Sequence, residues 1–187
     1  TFMNDLDCGV STNIYDDASN LIETVDAKGQ RITYTYDGVN RTLTDDYHDD
    51  NSTEFSYHRS PDVTYHYDEP AASVDQGDGT RATARNVKGA LAYVEDPTGE
   101  EHTSFDARGR VEWTVKRILD PELSPTLEPA SSTLVAYKTA FEYDSLDRVT
   151  RMIYPDNDEV TYQYNSRSLL DGISGGPGGN ILSGLGY

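Results

Sequence analysis

Basic residues are scarce in this sequence. Its 187 residues include 15 Lys and Arg against 33 Asp and Glu, which gives a formal net charge of −18. A nucleic-acid binder needs a basic face against phosphate, so this balance excludes an ordinary one. Cysteine is nearly absent as well, and because Cys8 stands alone no disulfide can form within the chain.

Long apolar runs are also missing. No stretch approaches the roughly 18 apolar residues of a membrane span, so we expect no membrane insertion by this segment. The sequence begins at Thr1 without a basic region followed by an apolar one, and we expect no signal peptide in it. Since the first residue is not Met, we expect the sequence to be a piece of a longer polypeptide.

Aromatic residues are plentiful, with 14 Tyr, 4 Phe and 1 Trp, and several of them recur at a fixed interval before an acidic or polar residue. They are Tyr15, Tyr36, Tyr57, Phe105, Tyr143 and Tyr164. The first three are 21 residues apart, as are the last two, whereas Phe105 and Tyr143 are separated by 38. A period of this length indicates an array of small units that each need a neighbour to bury their apolar face.

Apolar and polar residues alternate before each of these aromatic residues, as in residues 32–36 and 160–164. A period of two in residues with β-branched and aromatic side chains predicts strands. The tyrosines that share a strand face in this way are Tyr34, Tyr36, Tyr162 and Tyr164. Stacked units would place them in ladders along neighbouring strands.

A short polar break follows the acidic residue, and an arginine then opens the next strand. Gly, Asn and Asp in the break tolerate positive φ, and an Asp at its start can accept backbone N–H bonds. These positions are Asp37 and Arg41, then Asp106, Gly109 and Arg110, then Asp144 and Arg148. A second turn, as at residues 26–29, 96–99 and 155–158, closes the unit, so the sequence predicts a repeated β-hairpin.

The resulting pattern resembles the YD repeats of the Rhs family, which includes bacterial Rhs polymorphic toxins, B and C components of insecticidal toxin complexes, wall-associated proteins and teneurins. Clear copies are TYTYDGVNR (33–41), TSFDARGR (103–110) and FEYDSLDR (141–148), and the resemblance covers roughly residues 14–170. Three copies depart from the motif: Asn20 or Leu21 replaces Arg in the first, His58 replaces Asp in the third, and Asn165 with Leu169 alters the last.

The resemblance implies an all-β fold in which tandem β-hairpins form a continuous, curved antiparallel sheet. In the toxins of this family such a sheet spirals into a hollow shell around a C-terminal effector. A sheet of 187 residues covers only about 3,000 Å², a sphere of about 15 Å radius, which leaves no room for cargo. This chain is therefore either a wall segment of a larger shell or a filled, compact repeat stack.

We expect three regions along the chain. Residues 1–13 would form an edge or lead-in from a preceding repeat, residues 14–173 the YD-repeat array, and residues 174–187 a Gly-rich linker or bend. Two surface insertions are expected within the array, at about 70–88 and 117–133, because both are polar and rich in Gly or Pro.

The residues that could carry chemistry form no recognisable site. The acidic run at residues 45–50 lacks the spacing of a calcium loop, and the histidines are scattered rather than clustered as zinc would require. No Ser or Cys nucleophile lies in a known motif. We therefore expect no catalytic residue, no metal and no cofactor, and the protein is not predicted to be an enzyme.

Two functions remain open. The first is a non-catalytic segment of a secreted or cell-surface Rhs-type toxin shell, whose partners are other repeats of the same parent chain, an enclosed effector polypeptide, and toxin-complex or secretion-system subunits. The second is an extracellular adhesion module that binds a glycan or a protein through aromatic sheet residues such as Trp113.

Overall fold

The computed structural model describes residues 2–5, 9–48, 60–119, 134–176 and 179–185, and every regular element within them is a β-strand. The strands are β1 Phe2–Asp5, β2 Gly9–Tyr15, β3 Leu21–Val25, β4 Arg31–Tyr36, β5 Thr42–Asp46, β6 Val63–Tyr67, β7 Val74–Asp75, β8 Arg81–Ala82, β9 Leu91–Asp96, β10 Gly99–Phe105, β11 Val111–Leu119, β12 Leu134–Tyr143, β13 Val149–Ile153, β14 Glu159–Tyr164, β15 Leu170–Gly175 and β16 Asn180–Ser183.

Fourteen of these strands form one sheet in the order β1-β2-β3-β4-β5-β6-β9-β10-β11-β12-β13-β14-β15-β16. The remaining two, β7 and β8, form a separate antiparallel hairpin. With β7 and β8 set aside, strands that follow one another in the chain are neighbours in the sheet. The predicted all-β class with tandem antiparallel hairpins is confirmed.

The chain divides into two compact units. Unit 1 comprises residues 1–66, 93–100 and 119–134, and unit 2 comprises residues 67–92, 101–118 and 135–187. In unit 1, β1 to β6 form an antiparallel meander, with Glu23 opposite Thr33 and Thr35 opposite Thr44.

In unit 2, β12 to β16 form a second antiparallel meander, in which Met152 lies opposite Val160 and Tyr162 opposite Ile173. Within the predicted linker at residues 174–187, the structure has β16 paired with β15. Similarly, β1 lies within the predicted lead-in at residues 1–13 and pairs with β2.

Seven hairpin loops among the described residues share one backbone geometry. The amide of the first loop residue donates to the carbonyl of the fifth, and the amide of the fourth donates back to the carbonyl of the first. The fourth residue always has a positive φ. This is the three-residue hairpin loop in which a type I turn is followed by a left-handed residue. The loops are residues 16–20, 26–30, 37–41, 106–110, 144–148, 154–158 and 165–169.

The buried residues of unit 2 come from the sheet and from residues 70–88, which we call the covering segment. On the sheet, Ala92 and Val115 are fully buried and Trp113 is 7 % exposed. The apolar residues that the covering segment buries are Val74, Ala84 and Val87. The Arg85 amide donates to Ser104 Oγ at 3.0 Å, which ties the covering segment to β10.

Unit 1 has little buried side chain. Every residue of β3 and β5 is partly exposed, so both faces of these strands remain accessible. Among the described residues of this unit, only Asp62 is buried, and its carboxylate accepts the Tyr47 amide at 2.6 Å. A strand in a two-layer domain would bury the side chains of one face, and β3 and β5 do not.

Candidate functional site

The predicted repeat residues meet at the loop that follows each Tyr-Asp pair. In the copy at residues 37–41, Asp37 Oδ1 accepts the amides of Val39 and Arg41, both at 2.9 Å. Its second oxygen, Oδ2, accepts Arg41 Nε at 2.6 Å. One carboxylate therefore closes the loop through the backbone and also fixes the arginine that opens the next strand.

The same arrangement recurs twice in unit 2. Arg110 Nε donates to Asp106 Oδ2 at 2.7 Å, and Arg148 Nε donates to Asp144 Oδ2 at 2.7 Å. Gly109 supplies the positive φ of the first of these loops, at 79°. Because the carboxylates accept these bonds in their charged form, the Arg110 guanidinium lowers the pKa of Asp106 and the Arg148 guanidinium lowers the pKa of Asp144.

Two of the three copies that depart from the motif lie within the described residues, and they keep the loop by different means. In the first copy, the Asn20 side-chain amide donates to Asp16 Oδ2 at 2.9 Å, in the place of the arginine. In the last copy, Asn165 Oδ1 accepts the amides of Arg167 and Leu169 at 2.9 and 3.1 Å. An asparagine has only one acceptor oxygen, and in Asn165 that oxygen already accepts two backbone amides. This loop therefore has no second acceptor for an arginine at position 169.

The tyrosine hydroxyls connect successive copies. Tyr36 donates to the carbonyl of Leu21 at 2.7 Å, and Tyr164 donates to the carbonyl of Val149 at 2.8 Å. Tyr143 likewise donates to the carbonyl of Val111 at 2.8 Å. In each case the acceptor directly follows the fifth loop residue of an earlier copy, so each tyrosine ties its own copy to the one before it.

Two of the arginines stack on two of these tyrosines. The Arg110 guanidinium lies 4.5 Å from the centre of the Tyr143 ring, and that of Arg148 lies 4.3 Å from the centre of the Tyr164 ring. Each guanidinium is thus held by the aspartate of its own loop and by the tyrosine of the next copy. Contacts of this kind are worth about 0.5–1 kcal/mol at exposed sites.

Neighbouring loops also contact each other directly. Arg110 Nη1 donates to the carbonyl of Asp144 at 3.0 Å and to Asp147 Oδ1 at 2.7 Å. In unit 1, the Asn20 side-chain amide donates to Asn40 Oδ1 at 3.0 Å. In both pairs the fifth residue of one loop donates to the fourth residue of the next. Arg148 Nη1 is buried without a partner, and the fourth residue of the following loop is Ser168.

Three predicted residues lie outside these loop contacts. Tyr34 in β4 and Tyr162 in β14 are half-buried on their strands. Phe105 ends β10, has no hydroxyl to donate, and its carbonyl accepts the Asn86 side-chain amide at 2.8 Å. Sequence analysis did not identify Arg108 and Asp147, which form an ion pair at 3.0 Å. The available signal was the Asn or Asp that precedes the motif arginine in GVNR and SLDR.

In the part of the chain that the structure describes, no group of three or more His, Cys, Asp or Glu side chains could hold a metal ion. Asp49, Asp50 and His58 lie outside the described residues. His102 is buried in β10 and His66 stacks on the Tyr93 ring. A membrane-spanning helix, long and apolar enough for a bilayer, is likewise not found among the described residues.

Comparison with known families identifies the repeat. Residues 15–51 match the model of the family described as RHS Repeat, and these residues include the loops at 16–20 and 37–41. The resemblance inferred from the sequence is confirmed by this match. No curated protein matches the chain.

Comparison with solved structures identifies the fold. The whole chain aligns with 9 % of a chain in a crystal structure of TcdB2-TccC3, with a TM-score of 0.74 and 16 % sequence identity. It aligns in the same way with 9 % of a chain in the crystal structure of TcdB2-TccC3-Cdc42 (TM-score 0.73, 16 % identity). A Photorhabdus luminescens Tc holotoxin pore gives a TM-score of 0.70 at 15 % identity, again over 9 % of its chain. The chain thus has the fold of a small part of these much longer chains.

Proposed function

We propose that this chain is a non-catalytic wall segment of a larger Rhs-type protein that encloses a C-terminal effector polypeptide until delivery. The observation that carries the proposal is the connection between copies: the Tyr36, Tyr143 and Tyr164 hydroxyls each bind the backbone of an earlier copy. Units joined in this way extend a sheet indefinitely, as a wall requires.

The exposure of the sheet supports the same function. Both faces of β3 and β5 are partly exposed, and an extended wall needs no second layer. The full chain also corresponds to 9 % of the TcdB2-TccC3 chain, which is the size relation of a segment to a whole. The proposed partners are the other repeats of the parent chain, the enclosed effector, and toxin-complex or secretion-system subunits, with a secreted or cell-surface location.

The alternative of a glycan-binding adhesion module receives less support. Trp113, the aromatic residue that would serve best as a platform, is 7 % exposed and so cannot stack on a sugar. The tyrosines of the repeat are engaged by arginines or backbone carbonyls in the copies at residues 143 and 164.

Limited proteolysis of the parent protein tests the proposal. We expect the region that follows the repeats to resist protease in the intact parent and to be digested when it is expressed alone. The double variant Asp37→Ala/Asp144→Ala should accelerate its digestion, because the loops that align the copies lose their carboxylates. Asp17→Ala, at an exposed loop position in the same kind of turn, is the matched control. Equal digestion of the region in the intact parent and in isolation would contradict enclosure.

A further inference from the structure

A groove of about 590 Å³ in unit 2 is lined by the covering segment, by β12 and by the loop at residues 154–158. Its volume falls within the range of ligand sites in proteins, about 300–1,000 Å³. Tyr137 and Tyr154 line it and are 43 % and 40 % exposed, and Asp156 and Asp158 lie at the same surface. The described residues that line the groove include no lysine or arginine.

The chain itself shows what such a set of side chains holds. A tyrosine ring and an aspartate carboxylate hold the Arg110 guanidinium, with the ring centre at 4.5 Å and the carboxylate oxygen at 2.6 Å. Arg148 is held in the same way by Tyr164 and Asp144. A planar cation satisfies both groups because its face stacks on the ring while its edge donates to the carboxylate.

The loop at residues 154–158 differs from the repeat loops at its first and fifth residues. It has the common backbone geometry, with the Tyr154 amide donating to the carbonyl of Asp158 at 2.8 Å. Yet it begins with a tyrosine where the other six loops have aspartate or asparagine, and it ends with Asp158 where three of them have arginine. It therefore brings one ring, that of Tyr154, and the carboxylates of Asp156 and Asp158 to the groove, and it supplies no cation of its own.

We propose that this groove binds an arginine side chain of a partner polypeptide. The Tyr137 and Tyr154 rings stack on the guanidinium, and Asp156 and Asp158 accept its N–H groups. The net charge of −18 attracts a basic segment toward the chain, and the described residues that line the groove add two carboxylates and no cation. The site belongs to the residues of unit 2 and does not depend on whether the parent protein encloses an effector.

Titration of the 187-residue chain with a short peptide carrying one arginine between glycines tests the site, followed by amide chemical shifts in NMR. We expect shifts at Ala136, Tyr137 and Asp156, and none of comparable size with the same peptide carrying citrulline, which keeps the shape and loses the charge. Because this comparison uses the unaltered chain, it does not depend on how any variant folds.

Variants then locate the contacts. Asp156→Asn/Asp158→Asn and Tyr154→Ala should each weaken binding about tenfold, while Tyr154→Phe, which keeps the ring, should not. Asp17→Asn/Asp171→Asn removes the same charge from exposed positions elsewhere and should leave the affinity unchanged. The proposal is overturned if the citrulline peptide binds equally well or if the control variant weakens binding as much. Binding of a neutral oligosaccharide at these amides, without binding of the arginine peptide, would also overturn it.

Discussion

At the scale of single residues, the first and fifth positions of the repeat loop change together. Aspartate pairs with arginine in the loops at 37–41, 106–110 and 144–148, and with asparagine at 16–20. Asparagine at position 165 is followed by Leu169. In these five loops the number of acceptor oxygens explains the pairing: the aspartates use their second oxygen to bind the side chain of the fifth residue, and Asn165 has no second oxygen to offer.

The unpartnered Arg148 Nη1 provides a test of the contact between loops. We expect Ser168→Asn to stabilise the chain by about 1 kcal/mol, because the longer side chain reaches this nitrogen as Asp147 reaches Arg110. Asparagine also tolerates the positive φ at this position, which is 65°. Urea unfolding measures the change.

Ser19→Asn is the matched control for that variant. Ser19 has a φ of 69° at the equivalent loop position, and residues 1–15 contain no arginine to serve as its donor. Ser19→Asn should gain only the small stabilisation that comes from the tolerance of asparagine for a positive φ. Equal stabilisation by both variants would show that Arg148 takes no part.

Asp106 and Asp45 should affect the pH dependence of the unfolding free energy in opposite directions. Bonds from the Arg110 guanidinium lower the pKa of Asp106, so its contribution is present above the unfolded value near 3.8 and is lost as the pH falls below it. Burial raises the pKa of Asp45, whose Oδ1 has no partner, so its charge costs stability at pH 7 and the cost disappears in acid.

We therefore expect Asp106→Asn to destabilise the chain at pH 7 and Asp45→Asn to stabilise it. Asn at position 45 still accepts the bond that Tyr65 donates to Asp45 Oδ2 at 3.0 Å. Both differences should shrink as the pH is lowered toward 3, measured by urea unfolding across that range. A difference that persists in acid would mean that the effect is one of shape and not of charge.

At the scale of elements, the sequence predicted the strands and turns of the repeat because they are encoded locally. An alternating strand, an aspartate and a residue that tolerates positive φ specify the loop at 37–41 within nine residues of each other. The bonds from Tyr36 to Leu21 and from Tyr143 to Val111 could not be predicted, because a backbone carbonyl has no sequence signature and the partners are 15 and 32 residues apart.

The covering segment shows a second limit of the sequence. The polar composition of residues 70–88 predicts a surface insertion and gives no sign that Val74 within it is only 2 % exposed. Three apolar residues spread over this stretch follow neither a period of two nor one of 3.6. The covering segment contacts β10 through Arg85 and β12 through Gly77, and both strands lie later in the chain, so a local pattern does not reveal this burial.

The covering segment packs against β12 closely enough to require glycine at one position. A Cβ at Gly77 would overlap the carbonyl oxygen of Ala136, whereas a Cβ at Gly79 would meet nothing within 4 Å. Both residues have similar positive φ, at 83° and 82°, so alanine is equally strained at either. We expect Gly77→Ala to cost about 1–3 kcal/mol more than Gly79→Ala, measured by denaturation with Trp113 fluorescence. Equal costs would show that the close approach adds nothing beyond φ.

At the scale of the whole molecule, the unit of construction is one period of 21 residues, which contributes two strands and two loops. After a full period the chain again runs in the same direction, and its next YD loop lies at the same end of the strands as the one before. Adding or removing half a period reverses the direction of every later strand. Each later YD loop then lies at the opposite end of the strands.

Deletions of the two lengths should therefore behave differently. Removal of residues 144–164 joins Tyr143 to the loop at 165–169, and the bond from Tyr143 to Val111 is retained. We expect a folded β-sheet with a urea m-value about a tenth smaller. Removal of residues 144–153 keeps Tyr164 but deletes Val149, whose carbonyl accepts its hydroxyl. We expect this variant to lose cooperative unfolding. Similar unfolding curves for both deletions would contradict a 21-residue unit.

The tyrosine hydroxyl binds a main-chain oxygen, and that choice has an evolutionary consequence. A duplicated stretch of DNA encoding one period arrives already able to dock, since every copy offers the same carbonyl whatever its side chains. Unequal recombination can then lengthen or shorten the array without redesigning any junction, and point substitutions can accumulate freely on the strand faces between junctions.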